Sequence, residues 1–168
     1  MHRTWHLLSL GFCFSVGSFC QNTAPAPPPL APLASFLGEW DCAGKFAGSG
    51  KAIEAHVSLR YDLDQHWILF RHDDKPPFSY HALTQWGWDE ANKQFLMLVE
   101  DSVGGVRVFR APVDGKEIVW TGDALGSDKP PAQRFTFRSI DATHFFTSYS
   151  VLRGNAWVPV DSSTCTKT

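Results

Sequence analysis

The chain has 168 residues, with 15 basic side chains against 17 acidic ones and a formal charge of −2. The basic residues are scattered singly rather than gathered into a stripe, so the electrostatic footprint of a nucleic-acid-binding surface is missing. That length suits one domain with a single core.

The first elements concern targeting. Two polar stretches, Met1-His2-Arg3 and Trp5-His6, precede an apolar run from Leu7 to Cys20 broken only by Ser and Gly. A run of about 14 residues is too short to cross a hydrocarbon core of roughly 30 Å, so residues 1–20 read as a secretory signal rather than a membrane span. Small residues permit cleavage after Ser18 or after Cys20. A lipid anchor on Cys20 is the weaker reading, because Phe19 stands where a lipoprotein signal needs a small residue. Residues 21–34 are Pro-rich and read as an extended tether. The mature chain would keep about 148 residues, no transmembrane segment and 14 basic side chains, for a charge of −3. Its expected place is periplasmic or secreted.

Residues 35–168 read as one domain. Leu30, Leu33, Phe36 and Leu37 have helical spacing and suggest one short helical turn before the first strand. Thereafter period-two alternation dominates, most cleanly where Ile53, Ala55, Val57, Leu59 and Tyr61 alternate with polar neighbours. Strands are expected near residues 38–46, 51–61, 66–73, 80–88, 94–101, 105–111, 116–121, 133–140, 143–153 and 156–166. Ten short strands with hairpin-length links predict an all-β fold, an antiparallel up-and-down closed barrel.

Apolar pairing sets the register of two hairpins, because a one-residue slip turns every side chain to the wrong face. Pairing Tyr61 with His66 sets Leu59 opposite Ile68 and Val57 opposite Phe70. Pairing Trp88 with Phe95 across the polar turn Asp89–Gln94 sets Trp86 opposite Met97. If the tenth strand closes against the first, Cys42 and Cys165 meet. In an oxidising compartment they form a disulfide. The same register puts Trp40 opposite Lys167, a cation over an indole.

Four stretches, Phe36-Leu37-Gly38-Glu39-Trp40-Asp41-Cys42, Leu63–Ile68, Gly87–Phe95 and Asp101–Gly105, together resemble a family of uncharacterised, often exported bacterial proteins of calycin (lipocalin-like) type. The resemblance implies a fold and brings no catalytic residues with it. Haem-binding nitrobindin-like calycins look similar at Gly38-Glu39-Trp40. They place a ligating His late in the chain, where this sequence offers only His144, so no cofactor is expected.

Reactive constellations are weak. Metal ligands must converge within about 2 Å of one ion. His66 and His72 lie too far apart along one strand for that, and no metal site is expected. Ala47-Gly48-Ser49-Gly50-Lys51 lacks the spacing of a phosphate loop and reads as a hairpin. No Gly-x-Ser-x-Gly elbow is present. Asp73 and Asp74 are adjacent on a strand, so they point to opposite faces and read as a solvated strand end rather than a dyad.

The remaining signal is aromatic: six Trp and ten Phe follow residue 20. Most must fill the barrel, yet ten strands enclose enough room for an apolar cavity. Val57, Phe70, Trp86 and Met97 are its expected lining, with His72 and Thr84 as polar contacts and Tyr149 if its face of the ninth strand is inward. The expected function is a monomeric barrel that binds a small apolar ligand without chemistry. One alternative is a hydrolase or isomerase on a lipid-like substrate, with His72 or His56 as base at the barrel mouth. Another is a packed structural or interaction barrel.

Overall fold

In the computed structural model, which describes residues 29–112, 117–124 and 131–168, ten antiparallel strands close into a barrel. The expected secretory signal and residues 21–28 of the tether lie outside the described residues. A short 3-10 helix, Ala31–Phe36, precedes the strands. In chain order these are β1 (Gly38–Phe46), β2 (Ala52–Asp62), β3 (Trp67–Asp74), β4 (His81–Asp89), β5 (Gln94–Asp101), β6 (Val106–Ala111), β7 (Glu117–Ala124), β8 (Gln133–Ser139), β9 (His144–Arg153) and β10 (Ala156–Lys167). Each strand pairs with its neighbour in sequence, and β10 returns to β1, so no sheet edge is left open.

Period-two alternation is what lets these segments serve as barrel staves. On β2, Ile53, Ala55, Val57 and Leu59 are buried while Glu54 and Arg60 face solvent. The inward rows meet at one end in a dry aromatic layer where Trp40, Trp86, Trp120, Phe95 and Phe145 are fully buried. The 3-10 helix plugs this end. Pro32 supplies a φ already suited to the first helical turn, and Leu30, Leu33 and Phe36 insert into the core. Phe36 meets Trp86, Phe137 and Phe145 edge-on at centroid distances of 6.1, 6.1 and 5.5 Å. Trp40 Nε1 donates to the Phe36 carbonyl at 2.9 Å, which satisfies an indole that would otherwise be buried without an acceptor. Leu30 and Leu33 fall inside the stretch read as tether; their burial, worth about 1.5–3 kcal/mol each, joins its last turn to the barrel.

The register corrects one expectation. Tyr61 pairs with Ile68 rather than His66, Leu59 with Phe70 and Val57 with His72. Leu63, Asp64 and Gln65 all adopt left-handed φ values of 46°, 55° and 68°, so the loop takes in residues 63–66 and pairing begins at Asp62–Trp67. The slip is two residues and preserves the faces. The other registers are as expected: Trp88 opposite Phe95, Trp86 opposite Met97, Cys42 opposite Cys165 and Trp40 opposite Lys167. Cys42 and Cys165 are joined by a disulfide. Lys167 Nζ lies 5.1 Å from the Trp40 ring centroid.

Candidate functional site

Toward the end of the barrel away from the helical plug, the aromatic filling stops and leaves a cavity of about 450 Å³. That is the size range of small-molecule sites. Phe46 at the end of β1 and Phe78 before β4 meet edge-on at 5.3 Å on its rim. Ile53, Ala55, Ala82, Val99 and Phe135 give it an apolar wall.

Six of the seven residues expected to line a cavity are brought together there: Val57, Phe70, His72, Thr84, Met97 and Tyr149. Trp86 is not among them. It faces inward, but lower in the barrel, packed edge-on against Phe70 and Phe137 at 5.5 and 5.0 Å and wholly buried, so it supports the floor rather than lining the space.

The polar groups cluster at the mouth. His72 Nε2 donates to Asp74 Oδ1 at 2.8 Å, and the Asp74 side chain is only 10% exposed. Asp74 is therefore a cavity acid and not part of a solvated strand end; Asp73, its neighbour, does face out, where Arg71 and His81 bind it. Across the mouth Arg107 donates from Nη2 to Asp101 at 2.7 Å and to the Tyr80 hydroxyl at 2.6 Å. With side chains 13% and 5% exposed, Arg107 and Asp101 are a nearly buried pair, each compensating the other's lost hydration. Burial raises the Tyr80 and Tyr149 hydroxyls above the ordinary tyrosine range.

Asp161 is the exception. It enters the cavity wall where the β9–β10 register shifts between Pro159 and Asp161, opposite Tyr149 and next to Phe46 of β1. Burial pushes its carboxyl up to about 6, with the charge of His72 opposing and that of Asp74 reinforcing the shift. No donor among the described residues reaches it.

Other reactive-looking residues lie elsewhere. His56 is on the outer face, 3.2 Å from Asp41 and 3.0 Å from Glu39, and its hydrogen bond to the Asp41 carboxylate raises its pKa; it cannot serve a reaction inside the mouth. His144 is held by Asp141 at 3.0 Å beside the β8–β9 loop, at the plugged end. Among the described residues no group of three or more His, Cys, Asp or Glu is placed to hold a metal ion. No helix among them is long and apolar enough to cross a membrane.

Asp161, Arg107 and Tyr80 were missed at the sequence level. Asp161 and Arg107 carry a readable signal, since Asp161 is in phase with Cys165 and Arg107 in phase with Phe109, both buried. The fold and site define a class: a closed ten-stranded antiparallel barrel, plugged at one end and hollow toward the other. The chain matches no protein-family model, and no curated protein matches it.

Proposed function

We propose that this is an exported, monomeric calycin-type barrel that binds a small, largely apolar molecule without transforming it. The observation that carries the reading is the apolar cavity, open to one side and walled by Val57, Phe70, Met97 and Phe137. A rigid closed wall holds such a space ready before the ligand arrives, which lowers the ordering cost of binding. Export is supported by the apolar segment Leu7–Cys20 and by a Cys42–Cys165 disulfide that an oxidising compartment would maintain. The calycin assignment rests on the Gly38-Glu39-Trp40 opening and the turn sequences, and the barrel is consistent with it. A native mass spectrum of the full chain expressed with its leader and purified from the periplasm is the test. A bound mass above that of the disulfide-closed chain supports the reading; a bare mass, together with no uptake of added apolar probes, rejects it.

A second reading is favoured by one contact. The His72–Asp74 hydrogen bond leaves His72 Nδ1 available, and a His oriented by a carboxylate beside an apolar cavity is the arrangement of a general base. A lipid-like ester or isomerisable substrate would then be the target. His72→Ala should abolish turnover of such a substrate while leaving apolar-probe binding in place; unchanged turnover removes His72 from the chemistry. The packed-barrel reading is disfavoured by the cavity itself.

A further inference from the structure

The mouth of the cavity carries an imbalance of charge. Among the described residues two carboxylates, Asp74 and Asp161, line it beside one permanent cation, Arg107, whose charge is already matched by Asp101 outside the lining. Arg107 Nη2 is committed to Asp101 and Tyr80, and its charge is matched by Asp101, while its buried Nε has no partner among the described residues. His72 is committed to Asp74. That leaves Asp161, partly buried in an apolar wall with no donor among the described residues, as an acceptor whose lost hydration nothing repays. An uncompensated buried carboxylate costs free energy, and a ligand that brings its own cation removes that cost on binding.

The neighbours of Asp161 suit a cation as well. Its ladder partner Tyr149 stacks on Phe135 with centroids 4.7 Å apart, so an aromatic pair stands beside Asp161 in the wall. Aromatic faces beside a carboxylate attract ammonium groups and repel anions. Below this level, down to Phe137 and Phe145, the lining among the described residues is apolar apart from the hydroxyls of Thr84, Thr147 and Ser163 and carries no charged group, which accommodates a hydrocarbon body and not a second charge.

Resting on the ligand-binding reading above, we propose that the ligand is a hydrophobic monoamine, its protonated nitrogen seated on Asp161 and its apolar body directed toward Phe137. The charged and titratable groups that face Asp161 are His72 and Asp74 from β3, Tyr80 before β4, Arg107 from β6 and Tyr149 from β9. The strongest pH response falls to Asp161, because its neutral form removes a charge that no ion-pair partner among the described residues meets. Amine binding therefore weakens as the pH falls through the titration of Asp161.

The test is displacement of a neutral fluorescent apolar probe, N-phenyl-1-naphthylamine, from the full chain by octylamine, octanol and octanoate, three ligands with one hydrocarbon body. At pH 7.5 octylamine should displace the probe at a concentration about tenfold or more below octanol, as a charge-assisted hydrogen bond in a partly buried site implies, with octanoate weakest. The preference should vanish in Asp161→Asn, whose fold is checked by an unchanged far-ultraviolet spectrum, and should shrink in the unmodified protein at pH 5. Equal displacement by octanol, stronger displacement by octanoate, or an amine preference that survives both Asp161→Asn and pH 5 overturns the amine assignment while leaving apolar-ligand binding intact. Absence of any saturable probe binding overturns the ligand-binding reading and the amine assignment together.

Discussion

Cys42 and Cys165 sit opposite each other in the ladder that closes the barrel, their Cα atoms 3.9 Å apart and their sulfurs joined across a sequence separation of 123 residues. The bridge ties the first strand to the last, so it spans the seam that unfolding must open. On the chain-entropy account a loop this long is worth about 4–5 kcal/mol. Reduction, or a Cys42→Ala/Cys165→Ala double substitution, should lower the melting temperature by on the order of 10 °C. A calorimetric scan with and without reductant checks it, and coincident melts would contradict it.

Two glycines mark close approaches of very different stiffness. A Cβ on Gly122 of β7 would lie 1.9 Å from the Val108 carbonyl oxygen and 2.7 Å from Phe109 Cα, both backbone atoms of the adjacent strand. A Cβ on Gly87 of β4 would lie 2.5 Å from the Trp67 ring, which is only partly buried and can swing outward. Gly122→Ala is therefore expected to destabilise by about 2–4 kcal/mol and Gly87→Ala by roughly 1 kcal/mol. Urea midpoints of the two variants decide the order, and a Gly87→Ala loss equal to that of Gly122→Ala would contradict it.

Asp161 gives stability a pH dependence of unusual sign. Burial pushes its carboxyl up to about 6 in the folded chain against an ordinary 3.8, so between those values the folded state holds more protons than the unfolded one. Stability from this group falls as pH rises through that window and is lowest above it, by on the order of 2 kcal/mol once partial exposure is allowed for. Asp161→Asn should thus be more stable than the parent at pH 8 by about that amount and nearly equal to it at pH 4. Chemical denaturation at the two pH values measures the difference; an equal gap at both would contradict the assignment.

Much of this architecture was legible in the sequence because barrel staves expose their periodicity. The alternation through Ile53, Ala55, Val57 and Leu59 set the inward face, and the polar turn Asp89–Gln94 set the Trp88–Phe95 register. The β2–β3 register was not legible, because a slip of two residues keeps every side chain on its own face and leaves the apolar pattern unchanged. Only the left-handed backbone of Leu63–Gln65 fixes it. Trp86 shows the complementary limit. Its inward direction follows from strand parity, whereas its depth below the cavity depends on where the helical plug brings Phe36. The mouth charges were in phase with buried neighbours, but pairs such as Arg107–Asp101 and His72–Asp74 become visible only when the strands are assembled.

The most direct test of the cavity as a binding site is a fluorescence titration of the neutral apolar probe against the parent chain and Ala82→Phe. Ala82 is buried on β4 between its ladder partners His72 and Asp101 and lines the space, so a phenyl ring there occupies the cavity from the wall. Saturable one-to-one binding to the parent is expected, weakened by tenfold or more in Ala82→Phe, with the melting temperature of the variant unchanged or raised. No saturable binding to the parent, or equal binding to a folded Ala82→Phe, would contradict it.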